Sequence, residues 1–184
     1  MTSGINTATV FLRRAEDLDG PAVKALVFQV LEEYGLKPEP NGMDADLDAL
    51  HAVYMEPGGV FEVLENASGK IIGCYGLFVV DEQCCELRKM YLHADTRGRG
   101  FGKALLCRAL SVAKRLGFSE MQLETASCLK EAIGLYVDFG FESLQGKHEV
   151  ERCDLAFRYN LSRWDEQRTH SNEIPVLNIR DAEQ

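Results

Sequence analysis

The stretch Glu86-Leu-Arg-Lys-Met-Tyr-Leu-His-Ala-Asp-Thr-Arg-Gly-Arg-Gly-Phe-Gly-Lys103 constrains this chain more than any other. It reads as a strand, a short turn, and then a basic, glycine-rich loop that opens a helix. Gly98, Gly100 and Gly102 let the backbone approach a ligand and take positive φ. Successive N–H groups then point into one concavity. The helix that follows adds unsatisfied N–H groups and the positive end of its dipole. Arg97, Arg99 and Lys103 add formal charge, so the loop is a phosphate cradle.

Nucleotide readings of this cradle fail on spacing. A P-loop needs G-x-x-x-x-G-K-[ST], whereas Gly102-Lys103 is followed by Ala104 and Gly98 stands one residue too close. No Ser or Thr is placed for Mg²⁺. A dinucleotide fingerprint needs G-x-G-x-x-G, and its third glycine position is Lys103. The net charge of −9 argues against a nucleic-acid partner. A positive loop on an acidic chain suits a small polyanion.

Composition and pattern bound the rest. The 184 residues, 46% hydrophobic and 27% charged, suffice for one domain with a sizeable core. No apolar run approaches the ~20 residues of a membrane span, and the start lacks the basic and apolar regions of a signal peptide. The six cysteines include no C-x-x-C pair and no zinc spacing, and the four histidines are scattered. Reduced thiols, a cytoplasmic protein and no metal site are the expectation. Adjacent Cys84 and Cys85 point to opposite faces of a strand and are structural.

Strands are expected at Ala8 to Arg14, Val60 to Glu65, Lys70 to Val80, Cys84 to Leu92, Met121 to Thr125, Phe141 to Leu144 and Asp154 to Leu161. Helices are expected from Pro21 to Gly35, capped by Asp17 or Asp19, from about Asp44 to Tyr54, from Gly102 to Leu116, and from Leu129 to Phe139. The order β-α-α-β-β-β-α-β-α-β-β is α/β (α+β), a mixed sheet with helices on both faces. A single domain spans 8–161. The tail, 162–184, is expected to be partly disordered, the alternative being an arm that docks on the domain.

Two patterns carry a family resemblance. Arg97-x-x-Gly100-x-Gly102 resembles the [Q/R]-x-x-G-x-[G/A] pyrophosphate loop of the GNAT superfamily of N-acetyltransferases. Leu123 to Phe141 resembles the family's strand, loop and A-x-x-L-Y-x-x-x-G-F helix, with Ala132, Leu135, Tyr136, Gly140 and Phe141 on the pattern. The Glu86 to Leu92 strand is a third match, and the element order agrees over roughly 8–161. The resemblance implies a central mixed, mostly antiparallel sheet of roughly six to seven strands flanked by about four helices. It also implies a splayed parallel strand pair at the CoA site.

The same resemblance implies a function and its residues. Acetyl-CoA would lie against Met90, Tyr91 and Leu92 through their backbone, against Arg97, Gly98, Arg99, Gly100, Phe101, Gly102 and Lys103, and beside Ala132. An N–H near Met90 would face the developing oxyanion. Glu86 would take the proton of the attacking amine through water, with Glu124 as the substitute, and Tyr136 would protonate the leaving thiolate. The family asparagine that bonds the cofactor, seven residues before the tyrosine, is Leu129 here; Ser127 or Cys128 substitutes, or the contact is absent. The expected activity is acetyl transfer to a primary amine of a small molecule in a ternary complex. A peptide or protein amine is the alternative, as is an acyl-CoA-binding module without turnover. The acidic run from Leu31 to Gly59, with Glu32, Glu33, Glu39, Asp44, Asp46 and Asp48, reads either as a site for a cationic acceptor or as plain helix solvation. A homodimer stays open.

Overall fold

The computed structural model describes residues 9–144, 152–165 and 175–180. β1 (Val10–Arg14) leads into α1 (Gly20–Glu33). Then come β2 (Val60–Asn66), β3 (Ile71–Val79), β4 (Cys84–Leu92), α2 (Phe101–Arg115), β5 (Glu120–Thr125), α3 (Lys130–Phe139), β6 (Glu142–Leu144), β7 (Leu155–Asn160) and β8 (Asn178–Arg180). One eight-stranded sheet has the order β6-β7-β5-β4-β3-β2-β1-β8. Among the described residues, only β4–β5 and β1–β8 are parallel neighbours. Among the described residues, no helix is long and apolar enough to cross a membrane.

The strand beyond the expected number is β8. It adds to the free edge of β1 with Leu12 opposite Ile179. The tail therefore docks at 175–180, and it packs earlier too. Trp164 is buried, its Nε1–H donating to Ser111 Oγ at 3.0 Å and its ring stacked on Phe139. The readings for 1–8, 166–174 and 181–184, and for His148 and His170, fall outside the described residues.

A second difference lies between α1 and β2. The helix expected at Asp44 to Tyr54 is instead a 3₁₀ turn at Ala45–Asp48 and a single π turn at His51–Met55. Leu47, Leu50 and Tyr54 are fully buried as their spacing suggests, but Asp44 is fully buried as well. Turning that carboxylate inward breaks the helical path. The α1 cap differs too. Asp19 forms no side-chain cap to α1; its carboxylate holds Arg13 at 2.7 Å and 2.8 Å. Asp17 accepts from the His51 N–H instead.

The sheet separates two cores. One face carries Leu12, Leu64, Ile72, Leu105, Leu110 and Trp164 under α2 and α3. The other carries Val23, Val27, Tyr54, Phe61 and Val63 under α1 and the π turn. Every residue of β2 is buried, the signature of a strand covered on both faces. Close approach is enforced where β2 begins. A Cβ at Gly59 would lie 2.0 Å from the Leu77 carbonyl oxygen and 2.8 Å from that of Tyr54. Backbone cannot yield as a side chain does, so Gly59→Ala is expected to cost about 3 kcal/mol. Urea unfolding reads this; an unchanged midpoint would contradict it.

Candidate active site

β4 and β5 pair only at Cys84↔Glu120, Cys85↔Met121 and Glu86↔Gln122. Beyond that point β5 continues with β7 and β4 with β3. The parallel strands therefore splay from Leu87 onward, freeing backbone polar groups on their facing edges. β4 also slips register against β3 between the Cys74↔Tyr91 and Gly76↔Arg88 pairs. In this bulge Lys89 has φ +53°, the one positive φ outside glycine among the described residues. Such a conformation costs roughly 1–3 kcal/mol and must be held by its surroundings. Here the Lys89 ammonium donates to Asp44 at 2.6 Å and to the Met43 carbonyl at 2.8 Å. The bulge thus aims a cation at the α1 side of the sheet.

A cavity of about 660 Å³ opens in the splay, a size suited to a small-molecule or cofactor site. Met90, Tyr91 and Leu92 form one wall, Leu129, Ala132 and Tyr136 another, and Gly98 and Gly102 one end. Gly98 (φ +71°) and Gly100 (φ +81°) take left-handed conformations, and Gly100 is the N-cap of α2. A Cβ at Gly102 would touch Leu92 and Leu135 at 3.7 Å, so glycine there leaves the entry to α2 open. Phe101 is buried in the core and does not line the cavity. Gly100, Arg99 and Lys103 flank the cavity without lining it. Ser127 and Cys128 are exposed and do not line it either, whereas Leu129 does.

Arg97 is engaged on three sides. Its Nε–H donates to the Leu92 carbonyl at 2.9 Å, Nη2 pairs with Glu33 at 2.7 Å, and the guanidinium lies 5.4 Å from the centre of the Tyr34 ring. It ties the end of β4 to the end of α1. Tyr34 in turn reaches Glu131 at 3.4 Å, at the start of α3.

The titratable groups in the cavity have distinct surroundings. Burial pushes the Tyr136 phenol well above its ordinary range, so it keeps its proton at neutral pH and stands as a donor. Glu86 lines the cavity and accepts from Arg88 Nη2 at 2.6 Å; that guanidinium stacks on the Phe78 ring at 3.8 Å. Glu124, the substitute base, lines the cavity as well.

The acidic segment is largely neutralised. Asp44 accepts from Lys89, from Arg152 at 2.8 Å and 2.9 Å, and from the Glu39 N–H. Asp46 pairs with Lys89 at 3.3 Å and accepts from the Tyr54 hydroxyl. Asp48 pairs with Lys24, and Glu33 with Arg97. Burial alone would raise the Asp44 carboxyl, but the hydrogen bonds from Arg152 and Lys89 hold it well below the usual carboxylate range. Arg88, Lys89, Arg152 and Cys153 line the cavity without having been singled out from the sequence. Only Lys89 and Arg88 carried a local signal, their place on the strand expected to splay. Arg152 meets Asp44 across more than a hundred residues of chain.

Comparison with known proteins agrees with this geometry. The profile of the acetyltransferase (GNAT) family matches residues 26–141. The uncharacterized N-acetyltransferase YjgM of Escherichia coli is 38% identical over 138 residues, 72% of this chain and 82% of that protein. An uncharacterized N-acetyltransferase of Schizosaccharomyces pombe is 28% identical over 141 residues, 76% of this chain and 85% of that protein. Among solved structures, a GNAT-family acetyltransferase from Staphylococcus aureus superposes with a TM-score of 0.78 at 19% identity, covering 83% of this chain and 99% of that one. The yncA protein of Salmonella typhimurium, solved with its cofactor acetyl-CoA, gives a TM-score of 0.66 at 22% identity, covering 86% and 97%.

Proposed function

Because this chain belongs to the GNAT acetyltransferase family, we propose that it transfers the acetyl group of acetyl-CoA to a primary amine of a small molecule, by direct attack in a ternary complex. One observation carries the reading. The cavity fills the gap where β4 leaves β5, and it runs from the glycine loop to Tyr136. The pyrophosphate lies on the N–H groups of the loop and the first turn of α2, flanked by Arg99 and Lys103. The pantetheine arm lies along Met90, Tyr91 and Leu92 and against Leu129 and Ala132 (an apolar contact where relatives use an amide side chain).

The chemistry follows from the neighbours of the reacting carbon. An aliphatic amine, of pKa about 10, must shed a proton before it attacks. Glu86, or Glu124 in its place, takes that proton through water. The amine nitrogen bonds to the thioester carbon while a backbone N–H of the bulged strand receives the oxyanion, worth about 3 kcal/mol. The C–S bond breaks, and the CoA thiolate takes the Tyr136 proton. Burial keeps that phenol protonated until the thiolate forms.

Release of CoA from acetyl-CoA across a panel of amines tests the reading. Turnover above hydrolysis is expected, and Tyr136→Phe is expected to lower kcat by about 100-fold while the affinity for acetyl-CoA stays within a factor of about two. Binding of acetyl-CoA without turnover of any amine would favour a binding module instead.

A further inference from the structure

Beyond the donor half, the cavity holds a prepared anion receptor. Arg152, in the segment before β7, lines the cavity with its side chain only 7% exposed. A planar guanidinium has five N–H donors in fixed directions. Arg152 spends three. Nη1 and Nη2 grip both oxygens of Asp44 end-on at 2.8 Å and 2.9 Å, and Nη1 also donates to the Lys37 carbonyl at 3.0 Å. The side edge, formed by Nε–H and the second Nη2–H, has no partner among the described residues. Two parallel donors on one edge match a carboxylate.

The receptor is also rigid and well placed. Asp44 is itself fixed by Lys89 and by the Glu39 N–H, so the guanidinium plane is set before any ligand arrives and little is lost in ordering it. Glu86, Lys89, Glu124 and Cys153 line the same cavity as Arg152. The cavity therefore offers carboxylates together with a buried guanidinium.

We propose that the acceptor carries a carboxylate beside its amine, as an α-amino acid does, and that Arg152 binds this carboxylate through its free edge while the amine faces Glu86 and Glu124. The proposal rests on the N-acetyltransferase reading above. Arg152 sets specificity; Asp44 and Lys89 position it.

The experiment compares matched pairs: phenylalanine with phenethylamine, and methionine with 3-(methylthio)propylamine. CoA release is followed with the full chain and with Arg152→Lys. Lysine keeps a cation against Asp44 but lacks the fork. For the unaltered chain, kcat/KM of each amino acid is expected to exceed that of its decarboxylated partner by at least about 100-fold. In Arg152→Lys that ratio falls toward one, chiefly through KM of the amino acid. Because the ratio is read within one preparation, partial loss of folded protein cancels. Equal or better use of the decarboxylated amines, or a ratio unchanged in Arg152→Lys, overturns the proposal and leaves the N-acetyltransferase reading intact. Binding of acetyl-CoA with no turnover in either series overturns both.

Discussion

Replacing Gly98 and Gly100 together with valine lowers the affinity for acetyl-CoA by about 100-fold or more, while the chain still unfolds as one cooperative unit. Both glycines hold left-handed φ values, +71° and +81°. A β-branched residue there costs about 1–2 kcal/mol at each site and relaxes by turning the local N–H groups away. A Cβ at Gly98 would meet nothing within 4 Å, so crowding at that position is not the cause. The loss falls on the ligand instead. Hydrogen bonds to a charged group contribute roughly 1.5–3 kcal/mol each, so misaiming two of them suffices. Gly98→Asn is the control, since asparagine tolerates the left-handed region; it should retain most of the affinity. Calorimetric titration beside a thermal melt separates the effects. Unaltered affinity in the valine variant, with only the melt lowered, would make the loop a plain helix cap.

Asp44→Asn is expected to destabilise the fold by about 3–5 kcal/mol, because it leaves the buried Arg152 without its anion and Lys89 with Asp46 alone. For a chain of this size that lowers Tm by roughly 10 °C. The effect has a pH signature of known sign. The Asp44 carboxyl is held below its unfolded value. Its stabilisation is therefore complete above the unfolded pKa of about 3.9 and is lost as pH falls below that toward the folded value. The unaltered chain should lose Tm steeply below about pH 4, and the gap to Asp44→Asn should narrow there. A gap that stays constant from pH 7 to pH 3 would mean that the carboxylate charge is not what matters.

These two sites differ in how legible they were. The loop was readable because Arg97, Gly98, Gly100 and Gly102 are neighbours in sequence, and their spacing alone excludes the nucleotide motifs. The α3 pattern from Ala132 to Phe141 was readable for the same reason. Asp44 was not. Among Asp46, Asp48 and the apolar Leu47, Leu50 and Tyr54 it reads as the outer face of a helix. Its partners, Lys89 and Arg152, come from distant segments, and tertiary pairing overrides local propensity. The pairing within the acidic run was equally hidden: Glu33, Asp44, Asp46 and Asp48 each meet a cation from another segment. β8 escaped notice because three exposed residues carry no burial pattern. The splay itself followed from resemblance rather than from any residue, since nothing in Leu87 to Leu92 says where its pairing partner ends.

A crystal structure with acetyl-CoA bound tests the central claim most directly. The account predicts the pyrophosphate on the N–H groups between Gly98 and Lys103, the pantetheine arm between β4 and β5, and the thioester within reach of the Met90 backbone and the Tyr136 hydroxyl. Acetyl-CoA bound outside the gap between those strands, with Tyr136 remote from its sulfur, would contradict it.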